Sequence, residues 1–182
     1  MEFVGQASAN NVETLGVLTP AQGAGTIKLT PGSGGTASLV FDSLGAVGGG
    51  VTVNIVAPTS SDTVSFTTTG ITNNIANAGL YYNGSDVAFV PGGGMALRSP
   101  NYTTDADFAT SATSLTSARS NEITGSFSNG AVTIDSLRIN GAQDLSLTGL
   151  LTIRTAGTTN ASGGIIQTGG SGSISGTGVS TG

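Results

Sequence analysis

The sequence predicts an all-β chain folded as a parallel β-helix, in which short strands stack on one another in successive coils. Apolar residues alternate with polar ones in short runs, which is the period of a β-strand. Turn-forming stretches such as PGSGG, GAVGGG and APTSSD separate these runs. Several runs also recur along the chain at similar spacings, a signature of repeat folds. A β-sandwich made from the same strands is the alternative.

Residues 1–70 are predicted to form the amino-terminal coils. The pattern of the run TIKLT returns in VTVNIV, and the pattern of SLVF returns in TVSF after nearly the same length of chain. Because both pairs of runs are separated by nearly the same length of chain, they indicate one stack. Equivalent strands in such a stack lie about 4.8 Å apart. The predicted inward-facing pairs are Ile27 and Leu29 with Val53 and Ile55, and Leu39 and Phe41 with Val64 and Phe66.

Residues 123–182 are predicted to form the carboxy-terminal coils, because AVTIDSLRINGAQDLSLTGLLTI carries a strand pattern that starts again at its end. The run VTI recurs as LTI, and Leu147 is predicted to recur at the same spacing as Ile166. These residues complete the predicted core ladder, with the members Val132, Ile134, Leu147, Leu151, Ile153 and Ile166.

Residues 71–122 break this rhythm and are predicted to leave the stack as an excursion that is docked on its side or caps one face. Asn83 and Gly84 lie between the runs GLYYNG and DVAFV and predict the turn of a β-hairpin. A short helix is considered for residues 104–122, where apolar residues follow a helical spacing although the Thr and Ser content disfavours a helix. The coils and the excursion are expected to form one continuous structural unit.

Charge and composition exclude several classes of function. Only 8% of the residues are charged and the net charge is −5, which argues against binding to nucleic acid and to anionic lipid. No apolar run reaches the length of about 18 residues expected of a membrane-spanning helix. The chain has no Cys and no His, so disulfides, a thiol nucleophile and a Ser–His–Asp triad are excluded. The segment MEFVGQASANN lacks the features of a signal peptide, so we expect a signal and an anchor outside this sequence.

The stretch VTIDSLRINGAQDLSLTGLLTI, followed by GGIIQTGGSGSISG, resembles the autotransporter-associated β-strand repeats of large bacterial surface proteins. The segments YYNGSDVAF and YTTD are similar to the excursion found in that family. The resemblance covers residues 15–176 and implies a secreted or cell-surface β-helical stalk or passenger of a bacterium. It carries over no catalytic residue.

Three aspartates are the candidates for metal binding or acid–base chemistry. Asp105 and Asp107 lie two positions apart and, with Asp86, could bind Ca²⁺ or act as an acid/base pair on a polysaccharide. The alternative is that they cap turns in contact with solvent, with Arg98 paired loosely to one of them. Lys28, the one Lys available for a Ser–Lys pair, lies in a strand and is interpreted as an outward-facing residue.

Four aromatic residues cluster in the excursion: Tyr81, Tyr82, Tyr102 and Phe89. Aromatic side chains are enriched in recognition surfaces, so these are the candidate ligand-binding residues, with surface glycans as the candidate ligand. The alternative is that they pack the excursion onto the stack.

The sequence therefore predicts a non-enzymatic structural protein of the bacterial cell surface or extracellular space, either a β-helical stalk or a filament-forming segment, with adhesion as a further role. Its expected partner is another copy of itself, because the open end of a stack exposes unpaired strand edges. No cofactor is expected apart from Ca²⁺. A carbohydrate- or host-binding module built on the excursion is the first alternative, and a polysaccharide-active enzyme is the second. An ice-binding Thr array is supported only by the run TTT at positions 67–69.

Overall fold

The computed structural model describes residues 1–68, 74–91, 96–154, 164–176 and 178–181. These residues form twenty β-strands and no helix. The chain divides into two compact units, Met1–Ser99 and Pro100–Gly182. The division falls inside the predicted excursion, and each unit is built mostly from parallel strand pairs.

Two parallel ladders organise the first unit. Its strands are β1 (Glu2–Val4), β2 (Asn10–Leu15), β3 (Ala24–Thr30), β4 (Thr36–Phe41), β5 (Thr52–Val56), β6 (Thr63–Phe66), β7 (Asn74–Ile75), β8 (Leu80–Tyr82), β9 (Asp86–Val87) and β10 (Phe89–Val90). One ladder has the order β1–β3–β5–β8, and the other has the order β2–β4–β6. A parallel bridge between Leu18 and Leu44 adds a third line of contact. Parallel pairing overturns the β-sandwich alternative, whose sheets are antiparallel.

The pairing register of the first unit confirms one predicted repeat and corrects the other. Leu39 pairs with Val64, as predicted. Ile27 pairs with Ile55 and not with Val53. The separation in sequence between paired residues of β3 and β5 is therefore two positions longer than predicted. A shift of this size keeps the same side chains on the inner face, because strand side chains alternate with period two. The apolar pattern therefore identifies the inner face of β3 and β5 correctly but misses their register.

The inward-facing residues of these ladders form the core of the first unit. Burial alternates along β4, where every second residue is buried. The eight predicted ladder residues of this unit are all buried: Ile27, Leu29, Leu39, Phe41, Val53, Ile55, Val64 and Phe66. Full burial of one such side chain contributes about 1.5–3 kcal/mol relative to its exposure, so this column is a major source of stability.

Antiparallel pairs cover one end of the ladders in the first unit. β8 turns back into β9 through Asn83 and Gly84, both at positive φ, which confirms the predicted hairpin. β7 pairs antiparallel with β10, and an antiparallel bridge joins Ser65 of β6 to Ala96. The last strand of each parallel ladder, β6 or β8, thus has an antiparallel neighbour on its outer side.

Three parallel ladders organise the second unit. Its strands are β11 (Phe108–Ser111), β12 (Ser120–Ile123), β13 (Phe127–Asn129), β14 (Val132–Ile134), β15 (Ser136–Asn140), β16 (Asp144–Leu147), β17 (Leu151–Ile153), β18 (Ile165–Thr168), β19 (Ser173–Gly176) and β20 (Val179–Thr181). The ladders have the orders β11–β12–β15–β18, β13–β16–β19 and β14–β17–β20. The helix considered for residues 104–122 is wrong, because this segment contains β11 and most of β12. Its polar and β-branched residues pair with each other and with β15, and this pairing outweighs a weak helical spacing.

The register of the second unit again supports only part of the predicted repeat. The run VTI of β14 pairs with LTI of β17, as predicted. Leu147 pairs with Gly176, and Ile166 pairs with Arg138, so the predicted equivalence of Leu147 and Ile166 is wrong. The separation in sequence between paired residues also increases along one ladder. Phe108 of β11 pairs with Ser120, whereas Leu137 of β15 pairs with the much more distant Ile165. A spacing read from one strand pair therefore does not transfer to the next.

The core of the second unit is a separate apolar column. Among the predicted ladder residues, Ile134, Leu147, Leu151 and Ile153 are buried, whereas Val132 and Ile166 are partly buried. The sequence-based prediction omitted several residues that are also buried in this column: Leu115, Ile123, Leu137, Ile139 and Leu145.

Two glycines allow successive chain segments to approach closely at the ends of strands. A Cβ atom on Gly79 would lie 2.2 Å from the carbonyl oxygen of Val51. One on Gly149 would lie 2.3 Å from the backbone nitrogen of Ala131. Neither position can take a larger residue without displacing backbone, so glycine is required there for steric reasons.

Candidate functional site

The first candidate site is the open edge of the first unit, formed by β1 and β2. Each is the outermost strand of its parallel ladder in the described part of the chain. The apolar residues Phe3 and Leu15, on the side of these strands that faces the core, are only partly buried. The equivalent residues one strand further in, Leu29 and Phe41, are 1% and 4% exposed. The apolar column is therefore incompletely covered at this end.

Backbone hydrogen-bonding groups of β2 also face this open edge. The N–H groups of Thr36 and Asp42 donate to the carbonyl oxygens of Ala9 and Leu15. Because N–H and C=O groups alternate in direction along a strand, the groups of Val12 point away from β4. Val12 is 62% exposed. Its N–H is therefore placed to donate to a further strand.

An exposed ion pair holds β1 against β3. The Lys28 Nζ atom lies 3.0 Å from Glu2 Oε1, and the Thr30 hydroxyl donates to the same oxygen at 2.6 Å. The Thr30 hydrogen bond, followed by the interactions with Lys28, lowers the pKa of Glu2. Lys28 is an outward-facing strand residue, as its sequence context predicts.

The second open edge lies in the second unit, where β18, β19 and β20 end the three ladders. Ile166 and Ile174 on these strands are partly buried. Leu145, which pairs with Ile174, has no exposed surface. Ile165 and Val179 are each 43% exposed. This edge therefore presents three strands, each the last of a parallel ladder, and an incompletely covered apolar column.

The four predicted aromatic ligand-binding residues differ in their exposure to solvent. Phe89, Tyr82 and Tyr102 are 1%, 9% and 6% exposed, whereas Tyr81 is partly exposed. Tyr102 belongs to the second unit, where its ring packs edge-on against Phe108 with the centroids 5.3 Å apart. Tyr81 and Tyr82 are adjacent in β8 and so point to opposite sides of the strand.

The predicted carboxylates occupy turns and strands. Asp86 is buried in β9, and its Oδ1 accepts a hydrogen bond of 2.8 Å from the Val87 N–H. Asp105 Oδ2 accepts a hydrogen bond of 2.6 Å from the Asn101 N–H, which closes a turn. Asp107 is partly buried, and its carbonyl oxygen accepts from Ser120. The described residues contain no group of three or more His, Cys, Asp or Glu side chains that could hold a metal ion.

A cleft of about 450 Å³ lies in the first unit between residues 57–63, the β-hairpin turn and residues 96–99. We call it the Asp62 cleft. Its polar lining includes Asp62, Thr59, Tyr82, Asn83 and Arg98, and its apolar lining includes Pro58, Pro91 and Leu97. Of these residues, sequence reasoning singled out Tyr82 as a ligand contact, Asn83 as a turn residue and Arg98 as a charge partner.

Asp62 is held rigidly at the base of a turn. Its Oδ1 accepts a hydrogen bond of 2.9 Å from the Ala37 N–H, and its Oδ2 accepts from the N–H and hydroxyl of Thr59 at 3.2 and 2.6 Å. The residue is only 2% exposed. The T-x-x-D spacing in APTSSD was the available signal for this turn, but it did not reveal the contact with Ala37.

Asn83 and Arg98 are positioned by backbone contacts. The side chain of Asn83 accepts from the Ala57 N–H at 2.9 Å and donates to the Ala57 carbonyl oxygen at 3.1 Å. The Arg98 guanidinium lies 4.6 Å from the centre of the Phe89 ring, and its Nη1 donates to the Ser99 carbonyl oxygen at 2.8 Å. The cleft thus has fixed walls and carries one acidic and one basic side chain.

The Tyr82 hydroxyl is the least constrained polar group of the cleft. Within the residues that the structure describes, it has no hydrogen-bond partner, although Tyr82 is only 9% exposed. Burial raises the pKa of Tyr82, and the negative charge of Asp62 raises it further. The phenol is therefore neutral at physiological pH and is able to donate a hydrogen bond into the cleft.

Comparison with protein-family models, with curated proteins and with solved structures finds no match to this chain. Within the described ranges, no helical segment has the length and apolar character needed to cross a bilayer.

Proposed function

We propose that this chain is a non-enzymatic structural segment of an extracellular or cell-surface protein, folded as a parallel β-helix that extends end to end by pairing with further copies of itself. The observation that carries the proposal is the loss of burial at the outermost strands. Phe3 and Leu15 are partly buried, whereas the residues that pair with them, Leu29 and Phe41, are buried. Covering such residues is favourable by about 25 cal/mol per Å² of apolar surface.

The arrangement of the strands supports the β-helix. One turn of the proposed helix, here called a rung, has three segments. In the first unit these are β1, β2 and the segment at Leu18, which pair in parallel with β3, β4 and the segment at Leu44. In the second unit they are β18, β19 and β20. Each proposed rung thus contributes three segments, and each segment pairs in parallel with its counterpart in the next rung.

End-to-end growth requires two different surfaces that can pair with each other, and the two open edges can serve as these surfaces. Pairing the β18–β19–β20 edge of one copy with the β1–β2 edge of another uses two different surfaces. Such a heterologous contact, repeated from copy to copy, builds a filament when the rotation between copies does not close a ring. The antiparallel neighbours of β6 and β8 lie at the other end of the first unit's ladders and leave β1 and β2 accessible for this contact.

The resemblance to autotransporter-associated repeats supports an extracellular location in a bacterium, and the residue types present support a structural role. The chain has neither His nor Cys. Asp86 and Asp105 are already hydrogen-bonded to backbone N–H groups. Their carboxylates stabilise a strand and a turn, a role that needs no substrate.

The proposal is tested by analytical ultracentrifugation and electron microscopy over a wide range of protein concentration. We expect species whose length grows with concentration and whose axial spacing reflects the strand separation of about 4.8 Å. Val12→Pro removes an N–H that points to the open edge and leaves the bonds between β2 and β4 intact, so it should weaken association about tenfold.

Val12→Thr is the matched control, because it keeps the N–H and the β-branched shape. Circular dichroism should show the same fold for both variants. Monomers at every concentration, or equal association of the Pro and Thr variants, would contradict end-to-end pairing through β2.

A further inference from the structure

We propose that the Asp62 cleft binds a neutral saccharide, whose hydroxyl groups accept a hydrogen bond from Tyr82 and donate one to Asp62. The inference is independent of the self-association proposed above, because the cleft and the open edges β1 and β2 involve different residues of the first unit.

The cleft has the size and lining of a small-molecule site. Its volume of about 450 Å³ lies within the range of roughly 300–1,000 Å³ typical of ligand pockets. Pro58, Pro91 and Leu97 supply an apolar lining, and a few fixed polar groups lie among them. A lining of this kind matches a sugar ring, which has apolar C–H faces and a polar rim of hydroxyls.

Tyr82 supplies a donor that no part of the described protein uses. The hydroxyl lacks a partner among the described residues, although the residue is only 9% exposed. The hydroxyl is not among the buried side-chain atoms that lack a partner in the described structure, so it contacts solvent in the cleft. A ligand oxygen can accept this hydrogen bond in place of solvent, so the hydroxyl favours a ligand with an acceptor at this position.

Asp62 supplies the complementary acceptor. A carboxylate offers about four lone-pair positions. Three are used, one on Oδ1 by Ala37 and two on Oδ2 by Thr59. Oδ1 therefore retains one acceptor position, which a ligand hydroxyl can fill as a donor. Because a hydroxyl both donates and accepts, a polyhydroxyl ligand satisfies Tyr82 and Asp62 together.

The charges of the cleft select a neutral ligand. The buried carboxylate of Asp62 opposes an anion. A metal cation is disfavoured because the described residues contain no group of three acidic or other metal-binding side chains. Arg98 also lines the cleft, so its acidic and basic side chains together carry no net charge. The site therefore fits neutral sugars better than acidic ones.

The experiment is a calorimetric titration of the intact chain with cellobiose, lactose, maltose and N,N′-diacetylchitobiose as neutral probes, and with glucuronic acid as the acidic probe. We expect at least one neutral probe to bind and to outcompete glucuronic acid. Tyr82→Phe should weaken that binding about three- to tenfold, since one net hydrogen bond is lost. Its melting temperature should stay unchanged at neutral pH, because the hydroxyl has no described partner within the protein.

Tyr81→Phe is the matched control. It removes a hydroxyl from the neighbouring residue of the same strand, on the side that does not line the cleft. Its affinity should equal that of the unmodified chain. Absence of binding for all neutral probes, equal affinity of the Tyr82→Phe variant, or preference for glucuronic acid would each overturn the proposal. Loss of self-association in the Val12→Pro variant would leave this binding unchanged, so the two proposals fail separately.

Discussion

Oδ1 of Asp62 accepts a hydrogen bond of 2.9 Å from the backbone N–H of Ala37, a residue 25 positions earlier in the chain. The two residues directly precede Thr63 of β6 and Ser38 of β4, which pair with each other, so the carboxylate ties a turn to the strand beside it. Both residues are almost fully buried, at 2% and 0% exposure. This contact joins the wall of the Asp62 cleft to the core of the first unit.

Replacing Asp62 should therefore destabilise the first unit. Asp62→Ala leaves the N–H groups of Ala37 and Thr59 without that acceptor, and the buried group of Ala37 alone accounts for a cost of about 1–3 kcal/mol. Asp42→Ala is the control, because Asp42 is exposed, and its free energy of unfolding should change by less than about 0.5 kcal/mol. Urea denaturation measures both values. Equal values for the two variants would show that the carboxylate adds nothing to stability.

Gly79 should not tolerate a side chain. In Gly79→Ala the new Cβ would lie 2.2 Å from the Val51 carbonyl oxygen, so the two chain segments must separate, at a cost of about 1–3 kcal/mol. Gly25→Ala places its Cβ in open space and should be neutral or slightly stabilising. Melting temperatures compare the pair. Similar melting temperatures would mean that the backbone at Gly79 adjusts without cost.

The Asp135–Arg154 ion pair should contribute more to the free energy of unfolding than the Glu2–Lys28 pair does. Arg154 contacts Asp135 Oδ1 through Nε at 2.6 Å and also through Nη2. The Asp135 side chain is only 3% exposed, so Arg154→Ala leaves a buried charge without its cation. Because the Arg154 side chain is itself 29% exposed, we expect a loss near the lower end of about 3–5 kcal/mol.

Lys28→Ala is the matched control for this prediction, since Lys28 and Glu2 are about half exposed and pairs of this kind contribute little to stability. The double variant Asp135→Ala with Arg154→Ala should be less destabilised than Arg154→Ala alone, because it leaves no uncompensated carboxylate. Chemical denaturation of the three variants tests the order. A double variant less stable than the single one would contradict this explanation.

Tyr82 should make stability depend on pH in the alkaline range. Its pKa is raised in the folded chain above the ordinary value of 10.0. Below pH 10 the phenol is protonated in the folded and unfolded states, and its contribution to stability is fully present. Above that pH the unfolded chain ionises first, so stability falls as the pH rises through the folded-state pKa.

Tyrosinate absorbance in the near ultraviolet measures this effect directly. The folded chain should show a component that titrates later than free tyrosine, and Tyr82→Phe should lose that component. The variant should also lose the corresponding part of the alkaline fall in melting temperature. A titration curve that Tyr82→Phe leaves unchanged apart from its amplitude would contradict the raised pKa.

The period of the apolar residues was sufficient to predict the β class and part of the core, including the eight ladder residues of the first unit. It could not fix the register between β3 and β5, because a shift by two positions leaves Ile27 and Ile55 facing inward. It failed for Ile166, which pairs with Arg138 because the connection into β18 is longer than the repeat on which the prediction relied. The local apolar pattern thus identifies which face of a strand points inward. Which residues pair depends on the length of the chain segment that connects two strands.

The candidate site was less predictable than the core. Tyr102 and Tyr82 looked alike as candidate ligand contacts, yet Tyr102 packs against Phe108 whereas Tyr82 lines a cleft. Asp62 and Thr59 looked like ordinary turn residues, and the role of Asp62 depends on the hydrogen bond to Ala37 across the ladder. A hydrogen bond between side chain and backbone of two different strand segments leaves no signal in the local composition.

The short distance in sequence between paired strands has a consequence for how the chain reaches its structure. Partners in the parallel ladders lie close together along the chain, from Phe108 with Ser120 at the near end of the range to Asp144 with Ser173 at the far end. Each strand therefore needs only the segment made shortly before it in order to find its partner. Folding can then advance in one direction as the chain emerges from a ribosome. Each addition closes a loop at a similar entropic cost, because doubling the length of a loop adds only about 0.6 kcal/mol.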